Sequence, residues 1–224
     1  MTSYKIAVIG GTGPQGRGLA YRFAKAGHAV AIGSRSSERA ERTAAEVACR
    51  IGDAAQVSGV DNVGAAESAD VVLLAVPYDG HVGLVTSLRA QLVGRVVLSC
   101  VNPLGFDRRG PYGLDVPDGS AAEEAQRIVP EARLAGAFHH LSAVSLWGED
   151  ELLDHEDVLV CGDDEQAKTV AITLARAVTG RAGIDAGPLR LARQLEPLTA
   201  VLIGINKRYK VRSGIRIAGL EHHG

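Results

Sequence analysis

A glycine-rich loop near the start of the chain restricts the possible folds more than any other feature. An apolar run over residues 5–9 predicts a buried strand, and an apolar pattern at helical spacing follows over residues 13–26. The loop between them fits the pattern G-x-G-x-x-G and consists of Gly11, Thr12, Gly13, Pro14, Gln15 and Gly16. A strand, such a loop and a helix in this order indicate the first unit of a dinucleotide-binding sheet.

The three glycines of the loop have separate predicted roles. Gly11 permits the tight turn, Gly13 lets a pyrophosphate group approach the backbone, and Gly16 lets the helix pack close to the strand. Pro14 stands near the first helical turn, where its missing N–H leaves no hydrogen bond unmade. Free backbone N–H groups and the helix dipole favour an anion at this point. A glycine-rich turn that binds no ligand is the alternative interpretation.

The end of the second predicted strand indicates which dinucleotide is bound. Units that bind NAD place an Asp or Glu there, about 20 residues after the glycines, to contact the ribose hydroxyl. Residues 28–33 are followed instead by Ser34 and Arg35, with Arg39 one helical turn further on. A guanidinium donates two hydrogen bonds to a phosphate dianion, which an acidic residue would repel. The pattern predicts NADP(H); the alternative is that Arg35 only begins a surface helix.

Alternation of strands and helices over the first hundred residues predicts an α/β fold with a Rossmann-type doubly wound, mostly parallel sheet. The predicted elements after residue 33 are a helix at 38–51, a weak strand at 57–60, a strand at 70–76, a helix at 79–92 and a strand at 95–101. Residues 102–119 are predicted to form a long irregular connection. Beyond it the sequence predicts a helix at 120–129, strands at 133–137 and 157–161, and helices at 163–178 and 191–209.

The chain is divided into two predicted parts. Residues 1–162 are expected to form an NADP-binding Rossmann domain, and residues 163–224 a small, mainly helical domain. Ligands of doubly wound sheets collect beyond the carboxyl ends of the strands. Three loops follow predicted strands at that edge and are expected to line the nicotinamide crevice; they contain Val76-Pro77-Tyr78, Val101-Asn102-Pro103 and His139-His140.

Composition and residue spacing exclude several other classes. A net charge of −2 and an aromatic content of 4% argue against a nucleic-acid partner. No apolar run approaches the ~18 residues of a membrane helix. Three widely spaced cysteines favour reduced thiols in the cytoplasm and provide no metal site. The Tyr-x-x-x-Lys pair of short-chain dehydrogenases occurs only at Tyr21 and Lys25, inside the first helix, so that class is rejected.

Several strings spread over nearly the whole chain occur together in one known family. They are Ile9-Gly10-Gly11-Thr12-Gly13 with Gly16 and Gly18, Gly27-His28, Ile32-Gly33-Ser34-Arg35, Cys161-Gly162-Asp163-Asp164, Asp185-Ala186-Gly187-Pro188-Leu189 and Leu198-Thr199. On these strings the sequence resembles the NADPH:coenzyme F420 oxidoreductases, and its ending over residues 206–220, with Gly214-Ile215-Arg216, resembles their actinobacterial branch. The resemblance implies direct hydride transfer between NADP(H) and the 8-hydroxy-5-deazaflavin coenzyme F420. It also implies a homodimer in which the small C-terminal domain completes the deazaflavin pocket.

The resemblance further implies which residues contact the two coenzymes. The expected adenosine-phosphate contacts are Thr12, Gly13, Pro14, Gln15, Ser34, Arg35 and Arg39. The nicotinamide is expected near Val76, Val101 and Ala143, and the deazaflavin against His139 and Leu141. No residue is assigned a catalytic role, because the two coenzymes carry the hydride chemistry. The basic segment 207–216 is expected to contact the acidic tail of F420 through Arg212 and Arg216; the alternative is that its cations only complement the C-terminus of the last helix.

Two other functions stay open on the sequence alone. The first is an NADPH-dependent reductase of another acceptor, such as a flavin, a ferric chelate or an imine. The second is an NADP(H)-sensing binding protein that transfers no hydride. Activity with each acceptor distinguishes these alternatives from the reaction with F420.

Overall fold

The structure is a computed structural model that describes residues 3–220, with an eight-stranded sheet and a separate two-stranded hairpin. The strands are β1 (Lys5–Ile9), β2 (Ala29–Ser34), β3 (Val57–Asp61), β4 (Val71–Leu74), β5 (Val96–Ser99), β6 (Leu104–Asp107), β7 (Gly110–Gly113), β8 (Arg133–Gly136), β9 (Leu159–Gly162) and β10 (Ile184–Gly187). The helices are α1 (Pro14–Lys25), α2 (Ser37–Ile51), α3 (Asn62–Glu67), α4 (His81–Ser87), α5 (Arg89–Leu92), α6 (Ala121–Ile128), α7 (Ala143–Leu146), α8 (Glu165–Leu174), α9 (Arg176–Thr179) and α10 (Ala192–Tyr209).

The strands of the large sheet follow the order β10-β9-β8-β5-β4-β1-β2-β3. All neighbours run parallel except β8 and β9, which are antiparallel. Strand order reverses between β1 and β4, and ligands of doubly wound sheets bind in the crevice beyond such a switch point. The predicted Rossmann-type, mostly parallel sheet is confirmed.

Side-chain alternation along the central strands divides the core into two layers. On β1, Ile6 and Val8 belong to one layer, while Ala7 and Ile9 belong to the other. Strands β4 and β5 repeat this division, because successive side chains of a strand point to opposite faces. Helices α1, α2 and α8 cover the first layer, and α3 to α6 cover the second. Burial on both faces accounts for the uninterrupted apolar strands.

Four segments of the structure differ from the prediction. Residues 102–119 are not irregular throughout, because they contain the β6–β7 hairpin, whose turn is stabilised by the Asp107 carboxylate accepting the N–H groups of Arg109 and Gly110. Helices α3 and α7 and strand β10 were also not predicted. With six residues α3 is too short to show a helical period, and β10 has the weakly β-forming sequence Ile-Asp-Ala-Gly.

Two elements that follow the predicted domain boundary at residue 162 are built onto the large sheet. Strand β10 pairs with β9, and α8 packs on β8 and β9. Strand β10 is the last element of the described chain that belongs to the large sheet. Residues 188–220, which follow it, lie outside the sheet. The two-domain division stays a prediction.

Helix α10 is fixed to the rest of the molecule by the hairpin and by α6. A Cβ atom at Gly113 of β7 would lie 2.7 Å from the Cβ of Pro197, so this glycine allows close packing of the hairpin on α10. The buried Glu196 carboxylate accepts the N–H groups of Ala121 (2.8 Å) and Ala122 (3.0 Å) at the start of α6. None of the helices within residues 3–220 has the length and apolar character needed to cross a membrane.

The segment after α10 packs back onto residues 156–157. The Asp157 N–H donates to the carbonyl of Ile215 (2.7 Å), and the Asp157 carboxylate accepts the N–H of Ile217 (2.8 Å). Gly214 packs directly on the side chain of Glu156, whose carboxylate is buried without a hydrogen-bond partner among the described residues. Burial raises the pKa of Glu156 to about 6.

Candidate functional site

The glycine loop turns at Gly10, one residue before the G-x-G-x-x-G string. Gly10 has a φ of 77°, and the N–H groups of Gly10 and Gly11 donate to the carbonyl of Gly33 (3.1 and 3.2 Å). The sequence analysis assigned the tight turn to Gly11. The structure corrects this to Gly10, since the left-handed backbone conformation requires glycine there. Gly11 instead packs against β1, where a Cβ would lie 2.8 Å from the carbonyl oxygen of Val8.

The start of α1 lies directly on this loop. A Cβ at Gly16 would lie 2.8 Å from both the carbonyl oxygen of Gly10 and the Cα of Gly11, so only glycine allows this approach. Helix α1 begins at Pro14, with Gly13 at its N-cap and no acidic residue in its first turn. Its N-terminal N–H groups and dipole therefore favour an anion at the loop.

A cavity of about 380 Å³ opens beside the loop, and we call it the arginine cavity. Its lining residues are Gly10, Thr12, Gly13, Ser34, Arg35, Ser36, Arg39, Asn62, Ala75, Val76, Pro77, Asp79, Gly80 and Leu84. Arg35 and Arg39 are exposed, and neither forms an ion pair within residues 3–220. Both guanidinium groups are therefore available to an anion in this cavity.

The carboxylates near the end of β2 do not take the place of the acidic residue typical of NAD-binding units. Asp61 of β3 is paired in register with Ser34, but its carboxylate accepts the N–H of Gly64 (2.7 Å) and caps α3. Asp79 lines the arginine cavity from the loop that leads to α4. The strand end itself carries Ser34 and Arg35, a combination that favours a phosphate over a free ribose hydroxyl.

A second cavity of about 420 Å³ adjoins the arginine cavity, and we call it the histidine cavity. Its lining residues are Gly13, Pro14, Gln15, Ala75, Val76, Pro77, Cys100, Asn102, His139, His140, Leu141, Ser142, Ala143, Thr199, Leu202, Ile203, Asn206 and Ser213. The two cavities share Gly13, Ala75, Val76 and Pro77. A continuous cleft therefore runs from Arg35 past the glycine loop to α10.

The cleft brings most of the predicted site residues together. Those that line the arginine cavity are Thr12, Gly13, Ser34, Arg35, Arg39, Val76 and Pro77. Those that line the histidine cavity are Gly13, Pro14, Gln15, Val76, Pro77, His139, Leu141 and Ala143. Gly11 and Gly16 shape the loop without lining either cavity.

Val101 was predicted to lie near the nicotinamide, but its side chain does not line the cleft. Its side chain is 1% exposed and belongs to the core layer beneath α3 to α6. The neighbouring Cys100 and Asn102 line the histidine cavity instead. The expected position of Val101 is corrected accordingly, because side chains continue to alternate beyond the end of β5.

The loop after β8 has a strained backbone conformation that three distant side chains stabilise. Phe138 has a φ of 64°, which is uncommon for a residue other than glycine. Gln15 Nε2 donates to the carbonyl of Phe138 (3.1 Å). Gln15 is one of the predicted phosphate contacts, but this hydrogen bond within the protein occupies its side-chain amide. The carbonyl of His139 accepts hydrogen bonds from Asn102 Nδ2 (2.8 Å) and Thr199 Oγ1 (2.9 Å). The glycine loop, the end of β5 and α10 therefore meet at two consecutive carbonyl groups.

The histidine cavity has no charged side chain in its lining. Its lining contains no Asp, Glu, Lys or Arg. His139 is 1% exposed, and burial lowers the pKa of its imidazole to about 3. Burial also lowers the pKa of His140, whose Nε2 lies 2.6 Å from the carbonyl oxygen of Asp157. The Cys100 thiol is protonated too, because burial raises its pKa to about 12. Uncharged rings fit such surroundings.

The C-terminal part was expected to complete the deazaflavin pocket, but the α10 residues that line it were not predicted. Thr199, Leu202, Ile203 and Asn206 line the histidine cavity at spacings of three and four residues. The sequence did show two polar residues, Thr199 and Asn206, on one face of a predicted helix. Which side of that helix faces the cleft depends on its packing against the hairpin.

No group of three or more His, Cys, Asp or Glu that could hold a metal ion occurs within residues 3–220.

The doubly wound sheet, its glycine loop and the arginine cavity define a dinucleotide-binding protein of the NADP type. A family model described as NADP oxidoreductase coenzyme F420-dependent matches residues 5–103. The F420-dependent NADP reductase of Methanocaldococcus jannaschii is 40% identical over 223 residues, which span 97% of this chain and 99% of the relative. That of Methanothermobacter thermautotrophicus is 43% identical over 96% of this chain and 95% of its own length. The chain belongs to the F420-dependent NADP reductase family, which confirms the resemblance seen in the sequence.

A solved structure is similar over the same extent. The crystal structure of a protein from Arthrobacter sp. FB24, provisionally described as an F420-dependent NADP-reductase, has a TM-score of 0.80 and 27% sequence identity to this chain. The match covers 96% of this chain and 100% of that one. With this coverage, the similarity extends beyond the sheet into the C-terminal part of the chain.

Proposed function

We propose that this chain is an oxidoreductase that transfers a hydride between NADP(H) and coenzyme F420. The observation that carries the proposal is the continuous cleft, with two arginines at one end that form no ion pair within residues 3–220 and an uncharged lining at the other. Relatives named F420-dependent NADP reductase match nearly the full chain. When bound, NADPH and F420 supply the hydride donor and the hydride acceptor, so the chemistry requires no protein nucleophile or metal.

The residues of the cleft fit both coenzymes. Ser34, Arg35 and Arg39 would hold the 2′-phosphate, and the N-terminus of α1 would hold the diphosphate. Gly13 lines both cavities and has no side chain to close the passage between them. The histidine cavity would take the nicotinamide and the deazaflavin, with the strand ends on one wall and α10 on another.

The contribution of the protein to the reaction is alignment. The loop at residues 138–143 is fixed by Gln15, Asn102 and Thr199, and it lines the cavity that would hold both rings. Correct placement of two reactants lowers a barrier by roughly 7–11 kcal/mol in ideal cases. The neutral imidazole of His139 places no charge beside the hydride path. Apolar lining residues such as Leu202 exclude water from it.

The basic segment 207–216 would bind the acidic tail of F420. Arg212 and Arg216 flank Gly214 and Ser213, of which Ser213 lines the histidine cavity. Neither arginine forms an ion pair within the described part of the chain. Their replacement by Gln should raise the KM for F420 and leave the KM for NADPH unchanged. Equal increases in both KM values would contradict the assignment.

We also propose that the protein is a cytoplasmic homodimer. Exposed apolar side chains on and after α10 support a dimer, since such patches mark protein interfaces; they are Val201, Ile205, Tyr209, Val211 and Leu220. The three cysteines are free, which is typical of a reducing compartment. Light scattering on the purified protein should give twice the mass of one chain, and the mass of a single chain would contradict the dimer.

The reaction is tested by mixing the purified chain with oxidised F420 and either NADPH or NADH. We expect NADPH to remove the visible absorbance of the oxidised deazaflavin, and NADH to do so far more slowly. Flavin, ferric-chelate and imine acceptors in parallel reactions serve as controls for a different acceptor. Binding of NADPH without any loss of F420 absorbance would contradict the proposed function.

A further inference from the structure

The side-chain amide of Asn102 forms a hydrogen bond through its nitrogen, but its oxygen has no partner within the described residues. Asn102 Nδ2 donates to the carbonyl of His139 (2.8 Å). A carbonyl only accepts hydrogen bonds, so this contact fixes which end of the amide is the nitrogen. Asn102 Oδ1 then points away from His139; it is buried and accepts no hydrogen bond from any residue within 3–220.

Asn102 lies on the strand side of the cleft. Strands β4 and β5 are paired in register, with Leu74 beside Ser99, so Val76 and Asn102 leave neighbouring strands at nearly the same level. Asn102 lines the histidine cavity, and Val76 lines both cavities. A dinucleotide that enters from the arginine cavity passes Val76 first and then reaches Asn102. The α10 wall, with Thr199 and Asn206, is formed by a different part of the chain.

We propose that Asn102 Oδ1 accepts a hydrogen bond from the carboxamide N–H of the nicotinamide and thereby sets the orientation of that ring. A buried acceptor without a donor is unfavourable, and the carboxamide NH₂ supplies the missing donor. The inference rests on the proposed function, because it assumes that the dinucleotide occupies this cleft. Asn102 would then be a cofactor-contacting residue that fixes which face of the nicotinamide meets the second ring.

The test is a comparison of two cofactors on matched variants. Calorimetry measures the Kd of NADPH and of its 3-acetylpyridine analogue, in which a methyl group replaces the carboxamide NH₂, for the full chain and for Asn102→Ala. We expect Asn102→Ala to weaken NADPH binding about tenfold. The Kd of the acetylpyridine analogue should change less than about twofold, because that cofactor has no N–H to lose.

A control variant separates this contact from the bond to His139. Thr199→Val removes the other hydrogen bond to the same carbonyl but leaves Asn102 Oδ1 in place. It should therefore affect both cofactors alike. An equal loss of affinity for both cofactors in Asn102→Ala would overturn the proposal, since Asn102 would then act only through the loop.

An unchanged Kd for NADPH in Asn102→Ala would also overturn the proposal. A raised KM for F420 alongside that unchanged Kd would assign Oδ1 to the second ring instead. Because the Kd values are measured without F420, failure of the wild-type chain to reduce F420 would refute the proposed function and leave the Asn102 comparison valid.

Discussion

Cofactor choice at the arginine cavity can be predicted quantitatively from Arg35. The Arg35 side chain lines the cavity and has no ion-pair partner within residues 3–220. Hydrogen bonds to a charged group contribute about 1.5–3 kcal/mol each, so two bonds to a 2′-phosphate set an upper bound of roughly 3–6 kcal/mol. Solvent screening at this exposed position reduces the expected loss in Arg35→Ala to about 2 kcal/mol. That loss corresponds to a roughly 30-fold higher Kd for NADPH.

Calorimetric titration of NADPH and NADH into the wild-type chain and Arg35→Ala checks this value. NADH has no 2′-phosphate, so its Kd should change less than about twofold, and the NADPH effect should shrink as salt is added. Arg42→Ala is the matched control, since Arg42 lies on α2, the helix that follows Arg35, is exposed, pairs with Glu38 (3.8 Å) and does not line the cavity. Equal losses for NADPH and NADH, or no loss for either, would refute the reasoning.

Three further predictions concern stability and the loop. Arg22 is 1% exposed and donates hydrogen bonds of 2.7–2.8 Å to four carbonyls, so Arg22→Met should lower the free energy of unfolding in urea by about 3 kcal/mol, whereas Lys25→Ala should not. Gly16→Ala should lower both the Tm and the affinity for NADPH, because its Cβ would meet the backbone of the loop; an unchanged Tm would contradict this. The folded-state pKa of Glu156 is raised to about 6, so the folded chain keeps a proton that the unfolded chain releases. This group should therefore lower the unfolding free energy by about 2 kcal/mol as pH rises from about 4 to about 7, and Glu156→Gln should change the pH dependence of the wild-type chain by that amount.

The sequence predicted those strands and helices that are determined by residues close together in the chain. The first strand was placed at residues 5–9, as observed for β1, because its apolar run ends abruptly in glycines. The β6–β7 hairpin was missed because its strands, Leu-Gly-Phe-Asp and Gly-Pro-Tyr-Gly, contain glycine and proline and show no clear alternation. Packing of Gly113 against Pro197 of α10, far along the chain, supports these strands.

In the candidate site too, the residues whose position depends on the nearby sequence were predicted, and those whose position depends on distant contacts were not. Ser34 and Arg35 could be predicted from the sequence because they stand at the end of a strand whose limit is marked by its apolar pattern. Val101 was placed one residue away from the side chains that line the cleft, because side-chain direction beyond a strand end follows the path of the backbone. The left-handed Phe138 could not be predicted, since Gln15 is 123 residues from it in the sequence.

The two adjacent carbonyl groups of Phe138 and His139 join three walls of the cleft by hydrogen bonds. The glycine loop, the end of β5 and α10 are joined to these two successive peptide units through Gln15, Asn102 and Thr199. A shift of this loop would therefore disturb the contacts of all three walls at once. Since hydride transfer depends on the spacing of the two rings, we expect a change of loop length between β8 and α7 to impair activity more than a substitution on the outer surface.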